Sequence, residues 1–317
     1  MRWLIFLGLA LAGGSLAFRA LVWRPALRAA AVEAGDGGNG ADAAVDWNRE
    51  ADWPWFTGAA LVGAVVALHA ELYAFLASAH AVTGGSLAQF AGAQVQPLRT
   101  ETRFGSSWTW TTFVWLAVIG LVLTGWLGSP RRREPLLAAA AAAALAAGLG
   151  MSTSGHAAAG SAVRMGVDFL HLTAAALWTG GLVALAVLAA SPSGRDRHAA
   201  RRRAVFAASL ARFSSLALGL VVALIAAGVY LALVESRWPA TLHRAWGAAL
   251  VAKAVLAAGA VALGAYHHWR VVPRLRLQAA GPAPGLGRVG RSLAAEATLA
   301  AGALLAAAVL TNLAPRA

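Results

Sequence analysis

Hydrophobic and polar positions fall into long blocks along this chain rather than alternating. Apolar runs lie near residues 3–23, 55–80, 109–128, 136–154, 166–190, 211–234, 247–269 and 293–313. Each approaches the roughly 20 residues that a helix needs to cross a bilayer. Strands of a membrane barrel would alternate apolar and polar positions, and these runs do not. The pattern predicts an all-α, polytopic membrane bundle of about eight transmembrane helices. The alanine-rich run after 136 is only weakly apolar, but Arg131 to Arg133 bound it on one side and a Gly-rich exit on the other. The first run follows Arg2 as a secretory signal would. Its length and the lack of a small-x-small exit favour a retained helix.

Composition strengthens the membrane reading. The chain has 317 residues, 59% hydrophobic and 12% charged, where a soluble domain carries about 25% charged residues. The net charge of +13 reads as topology rather than nucleic-acid binding, because the arginines sit in short links between apolar runs. Arg19, Arg24, Arg28, Arg49, Arg131 to Arg133, Arg195, Arg197, Arg201 to Arg203, Arg212, Arg270, Arg274, Arg276, Arg288 and Arg291 fall on one side. The opposite links hold only Arg2, Arg99, Arg103, Arg164, Arg237, Arg244 and Arg316. The richer side is expected to face the cytoplasm, which leaves both termini periplasmic. The Gly- and Asp-rich stretch within about 24–54 then forms a flexible cytoplasmic loop.

On this topology the unusual side chains gather at the outer face. His80 ends the second span, Met151 and His156 end the fourth, Met165, Asp168 and His171 open the fifth, and His243 lies in the last outer link. Ionisable groups next to membrane spans are costly to keep and mark function by default. Asp168 and His171 are three residues apart and share a helix face, so the carboxylate can orient the ring or act as a ligand itself. With no cysteine in the chain, thiolate sites, iron–sulfur clusters and disulfides are excluded. A soft-metal site must use His and Met. Imidazole suits copper, zinc, iron and nickel, and thioether sulfur favours Cu(I).

Other polar residues have plainer expected uses. His69 lies eleven residues before His80 on the same helix face, either as a relay inward or as an interhelical hydrogen-bond group. Glu71 should be paired, neutral or water-facing. Lys253 and Glu296 fall at opposite depths and are poor direct partners, Lys253 snorkelling outward and Glu296 pairing near Arg291. His198, His267 and His268 sit among cytoplasmic-side arginines, where lipid phosphates or water are their expected contacts. Trp108, Trp110, Trp178, Trp238, Trp246 and Trp269 read as interfacial anchors.

From about residue 98 to the end, the chain resembles the copper-resistance D family (CopD/PcoD type). The resemblance rests on an ordered set of short pieces: Thr102-Arg103-Phe104-Gly105, Gly155-His156-Ala157, Leu170-His171-Leu172, Ala176-Leu177-Trp178-Thr179-Gly180-Gly181-Leu182, Arg212-Phe213-Ser214, Ala227-Gly228-Val229-Tyr230, Trp246-Gly247 with Lys253, Pro273-Arg274-Leu275, and Arg291-Ser292 with Glu296. The first hundred residues match in general character. The division expected is a two-helix segment over 1–97 and a six-helix domain over 98–317. The resemblance implies copper movement or capture at the bacterial inner membrane, with His156 and His171 at the family's histidine positions. It departs from the family in having only three methionines.

The function expected is an inner-membrane copper transport or tolerance protein, not an enzyme. Copper, as Cu(I) or Cu(II), is captured outside by His156 and His171, with Asp168, His80, Met151 and Met165 as further ligands, and passes inward between helices. No nucleotide-binding or aspartyl-phosphate signature is visible, so a gradient, or a periplasmic copper-carrier protein, must drive the transfer. The alternative is a b-type haem protein passing electrons between quinone and a partner, since paired histidines on membrane helices hold haem.

Overall fold

The computed structural model describes residues 1–33, 54–83, 95–154, 161–190, 197–235, 244–277 and 286–313. All the expected spans form. Helix α1 spans Arg2–Ala31 and stays helical to Glu33. It is followed by α2 (Pro54–Thr83), a short α3 (Val95–Glu101), α4 (Arg103–Leu127), α5 (Pro130–Ser154), α6 (Ala162–Ala190), α7 (Arg197–Glu235), α8 (Ala245–Tyr266, continuing through Leu277) and α9 (Leu286–Leu310). Eight of these, all but α3, are long and apolar enough to cross a membrane. No strand occurs among the described residues.

The helices form two lobes around a central pair. One apolar core joins α1, α2, α4 and α5 through Leu9, Ala64, Trp115, Val118 and Leu137. The other joins α1, α6, α7, α8 and α9 through Phe18, Trp178, Leu185, Phe213 and Leu293. Helix α1 contributes to both, and α6 packs on α1, α5, α7 and α9. The first span is the most buried of the eight, as a retained central helix requires. The outer rim is apolar too: Leu218, Val222, Ile225, Val229 and Leu233, at helical spacing along α7, are each more than half exposed. Apolar burial inside and an apolar stripe outside together specify a lipid-embedded helix.

Antiparallel alternation fixes two ends of the bundle. At the Arg2 end, Arg2 donates to the Thr311 carbonyl at 2.9 Å and Trp3 to the Ala301 carbonyl at 3.2 Å. The first helix thus begins beside the C-terminal part of the last. At the opposite end, Arg19 meets Glu134 of α5 through two hydrogen bonds of 3.0 and 2.6 Å, and Arg24 pairs with the same carboxylate. Here too the backbone of Leu21 accepts from Arg212 at 3.1 Å.

Helix boundaries depart from the apolar runs where alanine and arginine extend them. Residues 24–33, expected in a flexible loop, continue α1 as Arg24–Glu33, because Ala, Leu and Arg are strong helix formers. The rest of that loop lies outside the described residues, apart from Pro54, which opens α2. Helix α7 likewise begins at Arg197, well before its apolar run.

Candidate functional site

At the Arg2 end, His171 enters a polar group built by three helices. It lies on α6, one turn after Asp168, and its Nε2 accepts a hydrogen bond from Lys253 Nζ of α8 at 3.1 Å. Its Nδ1 is buried without a hydrogen bond, with the Leu224 backbone of α7 nearby. Gly228 makes room for the ring. A Cβ at that position would stand 3.2 Å from His171 Cε1.

The charges around this imidazole nearly balance. Asp168 lies within electrostatic reach of Glu235, Lys253 and Arg164, and Arg164 bridges to Glu235 at 2.9 Å across α6 and α7. Two carboxylates, one guanidinium, one ammonium and one imidazole therefore share a partly buried site. Such charges are tolerated in a bundle only when paired. Lys253 was expected to snorkel toward the surface. It turns inward instead, because the carboxylates and the ring lone pair solvate the ammonium better than an apolar rim does.

The other expected ligands do not converge on His171 in any described contact. Asp168 precedes His171 by one turn on the same helix, and Met165 lies three residues before Asp168. Met151 packs with Phe6, Leu172, Ala175 and Leu304, an apolar cluster that accounts for its side chain. His80 is exposed near the end of α2, a helix that packs on α1 and α4. His156 and His243 lie outside the described residues. Among the described residues no three His, Asp or Glu groups stand together as a metal cage.

His69 is exposed, and its Nδ1 meets the Val65 carbonyl of its own helix at 2.8 Å. That replaces the interhelical bond expected of it. Glu71 is paired, with Thr111 Oγ1 at 3.5 Å from Oε2 and Arg2 as its charged neighbour. Its carbonyl accepts from Trp108 Nε1 at 3.2 Å.

At the Arg19 end, the structure corrects the reading of two histidines. His267 does not meet lipid phosphates or water. It is 2% exposed, with Nδ1 2.7 Å from Glu296 Oε2 and Nε2 2.9 Å from Ser292 Oγ. Glu296 therefore pairs with a histidine of α8 rather than with Arg291. His268 Nδ1 lies 2.7 Å from Ser214 Oγ of α7. The available signal was Glu296 itself, a buried acid at the same depth as two histidines on the preceding helix. The tryptophans divide likewise. Trp110 and Trp269 are exposed as anchors, whereas Trp178 and Trp246 are buried in the bundle.

Similarity to known proteins accounts for both halves of the chain. Residues 1–167 match the copper resistance protein D-like N-terminal domain, and residues 207–310 match copper resistance protein D. The first of these matches takes in the hundred residues whose sequence showed only general resemblance. Inner membrane protein YebZ of Escherichia coli (strain K12) is 31% identical over 178 residues, 56% of this chain and 58% of that protein. The aligned part thus covers less than two thirds of that relative's length. No solved structure matches the chain. With eight membrane-spanning helices and matches across both halves, the chain is a multi-pass inner-membrane protein that belongs to the copper resistance protein D family.

Proposed function

We propose that this protein captures copper at the periplasmic face and passes it inward through the bundle, without enzymatic chemistry. The Arg2 end is the periplasmic end on this reading, because the arginine-rich links lie at the other. Capture centres on His171 and Asp168, with His156 and Met165 completing the ligands as the ion arrives. Delivery by a periplasmic copper carrier fits a site at this face.

The observation that carries the proposal is the bond between His171 Nε2 and Lys253. Lys253 is the single lysine of a chain whose other basic residues are all arginine. An ammonium is a compact point charge, and here it occupies the ring lone pair that a metal would take. Beside Asp168 and Glu235 it stands where a cation is wanted, so it competes with copper until copper displaces it.

Opposite effects of two substitutions test this. Lys253→Met is expected to raise copper affinity of the purified protein about tenfold, or ~1.4 kcal/mol, and His171→Ala to lower it by at least as much. Competition against a chromophoric copper chelator reads both. Unchanged affinity in both variants overturns the capture site.

The orientation has its own test, helped by the absence of cysteine. Ser161, before α6, and Ser129, between α4 and α5, are both exposed. Ser161→Cys is expected to react with a membrane-impermeant maleimide in spheroplasts, and Ser129→Cys only after lysis. The reverse pattern inverts the protein and places His171 at the cytoplasmic face.

A further inference from the structure

Helix α8 is the least buried of the eight spans. Over Ala245–Tyr266 it packs on α9 and makes no broad contact with α7; the two approach each other only where α8 continues past His267. The gap between them is an open groove facing the lipid. Leu218 and Val221 of α7 line one side and Val261 and Ala265 of α8 the other, over the fully buried Leu185 of α6 and Leu293 of α9.

The groove has a polar end. Ser214 and Val221 are seven residues apart on α7, as are Val261 and His268 on α8, which is about 10 Å of helix. That is most of one leaflet's share of a hydrocarbon core roughly 30 Å thick. At its arginine-rich end the apolar lining gives way to His268, whose Nδ1 lies 2.7 Å from Ser214 Oγ. Trp269 follows, 67% exposed, at the level where tryptophans anchor to the membrane interface. Beyond it come Arg270 and Arg274, one turn apart and both exposed.

These two arginines differ from others of the same end. Arg19 and Arg24 are held by Glu134, and Arg212 by the Leu21 carbonyl. Arg270 and Arg274 make no hydrogen bond or ion pair among the described residues. Glu296 also lines the groove, but its carboxylate is taken up by His267 at 2.7 Å and does not oppose a negative ligand.

We propose that the groove between α7 and α8 binds an anionic phospholipid. One acyl chain lies between Leu218 and Val261, an ester carbonyl passes His268, and the phosphate meets Arg270 and Arg274. A phospholipid carries chain, carbonyl and phosphate in this order of depth, and the side chains of the groove follow the same order. Charge selects the headgroup: two guanidiniums attract a net negative head and gain less from one that carries its own cation. Basic pockets between membrane helices on the cytoplasmic side recognise such headgroups. The bound chain fills the seam where α7 and α8 lack direct packing, so the lipid supports α8 against the bundle. The proposal is independent of the copper reading.

The test follows thermal unfolding of the delipidated, detergent-purified full chain supplied with phosphatidylglycerol, phosphatidylcholine, ubiquinone or glycerol 3-phosphate. Phosphatidylglycerol is expected to stabilise the wild type at a concentration about tenfold lower than phosphatidylcholine. Glycerol 3-phosphate, which has no chain, is expected to have no effect. Arg270→Gln/Arg274→Gln abolishes the preference for phosphatidylglycerol, and Ala217→Phe, which fills the groove, weakens stabilisation by both phospholipids at least tenfold. Arg131→Gln/Arg132→Gln, on the same side of the membrane but between α4 and α5, keeps the preference. Should Ala217→Phe fail to fold, the two arginine pairs decide, since all four side chains are exposed. Equal stabilisation by both phospholipids, or an equal loss of preference in the two arginine pairs, overturns the proposal. So does stabilisation by glycerol 3-phosphate, or by ubiquinone in place of phosphatidylglycerol.

Discussion

Gly180→Leu is expected to abolish accumulation of folded protein in the membrane. Helices α1 and α6 cross with their backbones in contact at this point. A Cβ on Gly180 would stand 2.7 Å from Gly14 Cα and would overlap the Ala10 carbonyl oxygen, and a Cβ on Gly14 would stand 2.9 Å from Gly180 Cα. No flexible side chain is available to move aside, so the two helices must separate. Overpacking ordinarily costs about 1–3 kcal/mol, and here the displaced element is the central helix of both apolar cores. A loss of at least ~3 kcal/mol follows, enough to remove most folded molecules from a marginally stable protein. Gly219→Leu is the matched control: nothing stands within 4 Å of a Cβ there, and its side chain would face lipid. Immunoblots of membrane fractions, with thermal unfolding in detergent, should separate the two variants. Equal accumulation of both contradicts the α1–α6 crossing.

Glu134→Ala is expected to be nearly as damaging. Its carboxylate takes two hydrogen bonds from Arg19, which is 3% exposed, and also pairs with the less buried Arg24. Removing one partner of a buried pair costs about 3–5 kcal/mol, because a charge is stranded away from water. Glu134 is itself 32% exposed, so water partly replaces it and the lower end of that range applies. Arg24 can extend toward the headgroups, but Arg19 is enclosed and cannot. Combining Arg19→Met with Glu134→Ala removes the stranded charge and should restore most of the lost melting temperature. If the double variant is as unstable as Glu134→Ala, the damage does not come from Arg19.

Both effects involve information that differs in how far sequence carries it. The spans were legible because a run of about 20 apolar residues has few alternatives to crossing the bilayer. The depth of Lys253 and Glu296 was legible for the same reason, and each does sit at a different end with a different histidine. Helix rotation was not. His80 and His69 share a helix face, as spacing predicts, but that face is exposed, and only packing against α1 and α4 decides which face turns inward. Met151 looked like a thioether ligand and is packed among apolar side chains, a choice that depends on α9 arriving beside α5 and α6. The His267–Glu296 pair was half legible: the two residues share a depth on successive spans, but only the packing of α8 on α9 turns them toward each other. Gly180 and Gly219 look alike in sequence, and only the three-dimensional crossing separates them.

Copper and iron content of the detergent-purified protein, after growth with both metals supplied, tests the central claim most directly. The comparison is with a His156→Ala/His171→Ala variant prepared in parallel. The account predicts copper bound to the wild type and diminished in the variant, with little iron in either. Copper unaffected by the substitutions contradicts capture at His171, and near-stoichiometric iron makes the protein a haem carrier instead.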